Sequence, residues 1–246
     1  MSKSIIILAA ISFVLLQGMA FSEDLFKWSQ LPDLQKGGRL SQWDPVDYGP
    51  QTARASDWIC ENGLPVTKIS WWGSRLLNNN FEIQGFEIKI FDNIFTEGYN
   101  RPGTQLYDEF IPFNELTLTF EGVNAVGSDT YKYQAVLLDP FEQVKDQTYW
   151  LSIIAITPDA DSGLLREWRW QEAMENINNT TRVALLIDSG IPTMPDVADC
   201  HWGKENERDL AFELEYEGII PEPGMLFLMA GGFLAFLYNI RSKNKK

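Results

Sequence analysis

Histidine is nearly absent. The 246 residues carry one, His201, beside one of only two cysteines, Cys60 and Cys200. A Ser-His-Asp or Cys-His arrangement would have to be built on that single imidazole. No G-x-S-x-G, no H-E-x-x-H and no glycine-rich phosphate loop occurs. A zinc site would need His201 and both thiols, which is the whole supply. Paired carboxylates for glycoside cleavage stay open to a chain with 34 acids, but that abundance singles out no pair. The expectation is a protein that is not an enzyme.

Positive charge is scarce as well. Twenty Lys and Arg stand against 34 Asp and Glu, a net charge of −14. A surface that acidic repels phosphate backbones, so nucleic acid is excluded as a partner class. Sustained helical periodicity is missing between the two ends, apart from a turn or two around Glu172 to Asn176, so a helical bundle is excluded.

Apolar runs are confined to the ends. Lys3 precedes a short apolar core from Ile5 to Leu16, and small residues follow at Gly18, Ala20 and Ser22. That order is a secretory signal peptide, residues 1–22. At the other end Pro221-Glu222-Pro223 precedes an apolar run at about 224–240. A basic end then carries Arg241, Lys243, Lys245 and Lys246. The apolar run is long enough for a slightly short transmembrane helix, and the cations mark its end as cytoplasmic. Residues 218–246 therefore read either as a plain anchor or as a sorting signal. They resemble the PEP-CTERM domain of bacterial exported proteins, with all three parts in order. That resemblance implies recognition of Pro221, Glu222 and Pro223 by an exosortase-type processing enzyme. It also implies an inner-membrane intermediate, removal of the tail near the triplet, and delivery to the cell surface or extracellular matrix.

Between the ends, residues 23–217 are ample for one domain. They are more acidic than the whole chain, because Lys3 and the four tail cations lie outside them. In an oxidising compartment Cys60 and Cys200 read as one disulfide closing a long loop, with two buried free thiols as the alternative. Period-two alternation dominates. Trp28 to Pro50 reads as an extended lead-in with turns and room for one edge strand. Strands are expected at Val66 to Trp72, ending at Gly73, and at Gly85 to Phe91, Gln105 to Ile111 and Leu116 to Phe120. Further ones are expected at Tyr131 to Leu137, Thr148 to Thr157, Leu165 to Gln171, Val183 to Asp188 and Leu210 to Tyr216. Asn78 to Asn80 and Gly98 to Thr104 read as loops. About nine short strands make an all-β fold, a single jelly-roll-like β-sandwich, with a closed barrel as the alternative.

Three stretches carry a second resemblance. They are Gln51 to Gly73, with Asp57-Trp58-Ile59-Cys60 and Ile69-Ser70-Trp71-Trp72-Gly73; Thr148 to Ile153; and Asp209 to Leu214. Together they resemble an uncharacterised domain family of bacterial exported proteins. The similarity spans most of residues 25–217 and implies no activity or ligand.

Nine tryptophans are many for this length. Exposed rings stack on sugars, and buried ones fill cores. In a strand Trp168 and Trp170 share one face, with Glu167 and Arg169 on the other, so this pair is the candidate glycan-binding surface. Trp71 and Trp72 point to opposite faces, and Trp150 belongs in the core. Asp159-Ala160-Asp161-Ser162-Gly163 resembles the start of a calcium loop, but Gly163 takes the fifth position of the EF-hand spacing and no glutamate takes the twelfth. A polar turn accounts for it equally. No cofactor is expected, and calcium at Asp159 and Asp161 is the one metal candidate. The reading is an exported structural or adhesive module, with a glycan-binding module as the alternative and a carbohydrate-active enzyme as the third. Its partners are the processing enzyme, the membrane before processing, and extracellular polysaccharide.

Overall fold

From Val66 onward, strands form wherever apolar and polar side chains alternate. The computed structural model describes residues 24–43, 52–78, 80–96, 98–157, 167–174, 183–187, 201–205 and 209–217. In chain order the strands are β1 (Asp24–Gln30), β2 (Arg39–Leu40), β3 (Gln42–Trp43), β4 (Thr52–Ile59), β5 (Val66–Arg75), β6 (Gly85–Thr96) and β7 (Tyr99–Pro112). They continue as β8 (Thr117–Val123), β9 (Asp129–Phe141), β10 (Thr148–Ile156), β11 (Trp168–Trp170), β12 (Val183–Ile187), β13 (His201–Glu205) and β14 (Phe212–Glu217). Helical turns among the described residues are 3-10 segments at Leu76–Asn78 and Phe113–Glu115. Among the described residues no helix is long and apolar enough to cross a membrane. The signal segment 1–22 and the tail 218–246 lie outside the described residues. So do the apolar run at about 224–240, Pro221, Glu222, Pro223, Arg241, Lys243, Lys245, Lys246, Cys200, Asp159 and Asp161.

The fold is all-β, with two curled sheets in a sandwich-like arrangement. One seven-stranded sheet runs β1-β14-β5-β11-β2, with β9 on the other side of β5 and β8 outside β9. The other runs β13-β12-β4-β3-β10-β6-β7, with β4 also paired directly to β10. Among the pairings from β2 to β14 with a described register, β3 with β10 is parallel and the rest are antiparallel. Residues Phe26–Tyr216 form one compact unit.

Parity decides what each strand buries. Ile69 and Trp71 of β5, Phe86, Ile88 and Ile90 of β6, Tyr133, Ala135 and Leu137 of β9, and Leu151, Ile153 and Ala155 of β10 form the main core. The opposite face of β10 places Trp150, Ile154 and Ile156 in a second cluster with Trp43, Ala53, Ala55 and Phe91. This explains why β10 is apolar at both parities, as a central strand should be. Aromatic rings interlock at the centre: Trp71 stacks on Tyr133 at 5.7 Å, and Phe86 meets Trp168 edge-on at 5.0 Å. Such pairs contribute about 0.5–1.5 kcal/mol each beyond area burial.

Several expectations need correction. Trp168 and Trp170 do share a face, but it is the core face, and both are fully buried. Trp71 and Trp72 do oppose one another, yet both are buried, because Lys132 lies 5.0 Å over the Trp72 ring on the outer side. Gly98 to Thr104 is largely strand, since β7 starts at Tyr99. Pro102 is tolerated there because β7 lies at the edge of its sheet, where a missing N–H costs no ladder bond. The lead-in holds β1, β2 and β3 rather than a single strand, and β4 was not anticipated. On β8, Leu118 and Phe120 alternate as expected but stay exposed; this edge strand pairs with β9 on one side, and Phe120 meets Tyr131 edge-on.

Candidate functional site

Two groups of chemistry-bearing side chains stand out: a polar ladder on the outer face of the β5 sheet, and a cleft around Arg75.

The ladder arises because β5, β9 and β14 place polar residues on one parity. Register sets Glu215 opposite Lys68 and Glu213 opposite Ser70 across β5 and β14. Lys68 Nζ lies 2.6 Å from Glu215 Oε2, and Lys132 Nζ lies 2.7 Å from Glu213 Oε2. The Ser29 hydroxyl donates to Glu213, Ser70 to Glu215, and Trp72 Nε1 to Glu121. Glu213 and Glu215 are buried on one face, the arrangement that paired-carboxylate chemistry requires. Each, however, is held by a lysine and a hydroxyl. These cross-strand contacts make the ladder a glue between β5, β9 and β14.

A smaller group sits on β6 and β7. Lys89 bridges Glu87 at 3.0 Å and Asp108 at 3.1 Å. Burial pushes the Glu87 carboxyl above its ordinary range, against Lys89, whose hydrogen bond and charge pull it down. Nearby, the Tyr107 hydroxyl donates to Glu109. Burial, then the Glu109 carboxylate, raises that phenol above its ordinary range.

The cleft forms where β5 ends. Ile69, Trp71, Gly73 and Arg75 share the inward parity, so Arg75 projects inward at the rim rather than out to solvent. The chain then breaks away through Leu77 and Asn78, both with positive φ at 52° and 56°. It returns along Phe81 and Ile83, which are buried, and is pinned by Gln84 N–H donating to Ile156 O at 2.8 Å. Phe113 N–H donates to Gln84 O at 2.8 Å, which brings the second 3-10 turn alongside. The Arg75 guanidinium thus lies over two rings, 5.5 Å from the centroid of Phe81 and 5.8 Å from that of Phe113. The cleft has a volume of about 590 Å³ and is also lined by Asn80, Glu82, Gln84 and Asn114. Its Arg75 Nε is enclosed with no hydrogen-bond partner. Beside it, burial pushes the Tyr133 phenol up to about 12, against a Trp168 hydrogen bond and the Arg75 charge, which lower it.

The residues singled out from the sequence are not brought together here. Every tryptophan whose side chain is described is buried: Trp28, Trp43, Trp58, Trp71, Trp72, Trp150, Trp168 and Trp170. The expected stacking surface at Trp168 and Trp170 is therefore replaced by core packing, in which Trp170 Nε1 donates to Ala211 O at 2.8 Å. Cys60 is buried and its sulfur accepts from Gly63 N–H at 3.2 Å, while Cys200 lies outside the described residues. No group of His, Cys, Asp or Glu among the described residues is placed to hold a metal ion. Arg75, Phe81 and Phe113 went unremarked in the sequence. The available signal was an arginine at the inward parity of an otherwise apolar strand.

Comparison with known proteins adds two findings. A family model described as a domain of unknown function (DUF7901) matches residues 26–215. No curated protein matches the chain.

Proposed function

Because the chain belongs to the DUF7901 family, whose description assigns no activity, we propose its role from its own ends and folded unit: an exported, exosortase-sorted surface or matrix protein whose β-domain is structural or adhesive and not enzymatic. A secretory signal directs it across the inner membrane. The C-terminal apolar run holds it there, and an exosortase-type enzyme reads Pro221, Glu222 and Pro223 and releases the domain.

One observation carries this reading. The compact unit Phe26–Tyr216 and the family match at 26–215 both begin just after the expected signal cleavage and both end just before Pro221. Cutting at either end therefore leaves the folded unit whole, which a processing route requires. The ladder of lysine-bound carboxylates supports a structural role, since buried paired charges between strands resist rearrangement.

The test is processing in the native host. Glu222→Ala is expected to leave full-length protein in the inner membrane, whereas the parent protein is shortened and reaches the surface. Unchanged processing and delivery of the variant would count against the sorting role.

A further inference from the structure

Arginines in this chain have ample opportunity to find an acid. With 34 acids present, Arg39 Nε lies 2.8 Å from Glu172 and Arg169 lies 2.6 Å from Glu167. Arg75 is different. Among the described residues it makes no ion pair and no side-chain hydrogen bond, although its Nε is enclosed. Glu82 lines the same cleft but does not pair with it. The buried Tyr133 phenol stays neutral at ordinary pH and supplies no counter-charge. A cation desolvated on one side and left without an anion is costly, and the attraction of the two rings under it offsets that cost only in part. An unpaired buried donor in a folded protein calls for an explanation.

We propose that the Arg75 cleft binds a carboxylated sugar, a uronic-acid unit of an acidic polysaccharide. The guanidinium offers a planar fork that fits a carboxylate with two parallel hydrogen bonds. Around it the exposed amides of Asn80, Gln84 and Asn114 offer both donors and acceptors, which suits ring hydroxyls. Its volume of about 590 Å³ falls within the range of roughly 300–1,000 Å³ common to small-ligand sites. The charge balance selects a singly charged group over a phosphate monoester, since the site holds one cation, Glu82 stands on its wall and the chain is already at −14; the planar fork then matches the planar carboxylate. This site is independent of the sorting tail and stands or falls without it.

The experiment is titration calorimetry on the full-length chain in detergent micelles, with trigalacturonate as the probe and its methyl ester as the paired control. Saturable binding of the acid with loss of binding by the ester is expected. Arg75→Lys keeps the charge over the rings but removes the fork, so it is expected to weaken binding about tenfold or more with an unchanged melting temperature. Asn80→Ala with Asn114→Ala, both at exposed positions, is expected to weaken binding several-fold and serves as the decisive variant where Arg75 changes disturb folding. Any of four results overturns the proposal: no binding of the acid, equal binding of the ester, Arg75→Lys and the double amide variant both binding like the parent, or displacement of the trimer by equimolar inorganic phosphate.

Discussion

The indole of Trp168 occupies the space above Gly73. A methyl group built on that glycine would sit 2.3 Å from Cζ2 and 2.6 Å from Cε2 of the ring. The two residues belong to adjacent strands: Trp168 pairs with Arg75 and Trp170 with Gly73. The glycine therefore works as a slot. It lets β11 press a full indole against the inward face of β5, and it lets β5 run on to deliver Arg75 to the cleft.

Gly73→Ala should accordingly destabilise the domain. Trp168 is fully buried and meets Phe86 and Tyr133, so it cannot swing aside cheaply. Overpacking of this kind costs about 1–3 kcal/mol. Urea unfolding should show that loss, and pairing the change with Trp168→Phe should return part of it. A Gly73→Ala protein that unfolds like the parent would refute the slot.

Trp168→Ala and Trp170→Ala test the corrected place of these rings. Both are core residues, so each change should lower stability by about 3–5 kcal/mol, with loss of near-ultraviolet dichroism. Carbohydrate binding measured well below the melting point of each variant should stay within a few-fold of the parent. Selective loss of binding with full stability would restore the stacking surface expected from the sequence.

Tyr133 supplies a prediction in alkali. Its phenol is pushed up to about 12 in the folded domain and takes its ordinary value near 10 when unfolded. Between those values the unfolded state has lost the proton that the folded state keeps, so stability falls as pH rises. It is undiminished below pH about 10, and the loss reaches about 2–3 kcal/mol by pH about 12. Comparing unfolding of the parent and Tyr133→Phe across that window isolates the contribution from other titrating groups. Parallel curves would show that Tyr133 titrates normally.

How much of this was legible depends on what each residue's neighbours had to supply. Phe86, Ile88 and Ile90 announce an inward face because alternation is a local property and needs only a pleat. The same alternation at Leu118 and Phe120 misleads, since whether an apolar face is covered depends on where the opposing sheet ends. Trp168 and Trp170 share a face by parity, but which face is a matter of sheet order. Gly73 reads as a strand terminator until the indole across the ladder is known. At Gly103 the chain reads as a loop, yet a Cβ there would sit 2.2 Å from Asp92 Oδ1, so the glycine marks close approach within a hairpin. The Arg75 cleft was hidden for the same reason. Arg75, Phe81 and Phe113 come from three separate segments, and only the return of the chain past Ile83 gathers them.

The ladder yields the last prediction. Lys68 and Glu215 face each other directly across β5 and β14, and their side chains are 9% and 3% exposed. Removing water from both charges is costly, and the ion pair at 2.6 Å offsets that cost only while both are present. Glu215→Leu takes the carboxylate from a buried lysine and should destabilise by about 3–5 kcal/mol. Lys68→Met combined with Glu215→Leu removes both charges, and should recover most of that loss or exceed the parent's stability by about 1–4 kcal/mol. By contrast, Glu167→Ala breaks the more exposed pair with Arg169, whose side chains are 29% and 15% exposed, and should cost no more than about 1 kcal/mol. Denaturant midpoints in low and high salt separate the two cases, because salt screens the exposed pair and hardly reaches the buried one. A small effect of Glu215→Leu would mean that the buried pair does not hold this sheet, whereas a full loss with no recovery in the double variant would refute the stranded-charge account and assign the stability to the ion pair itself.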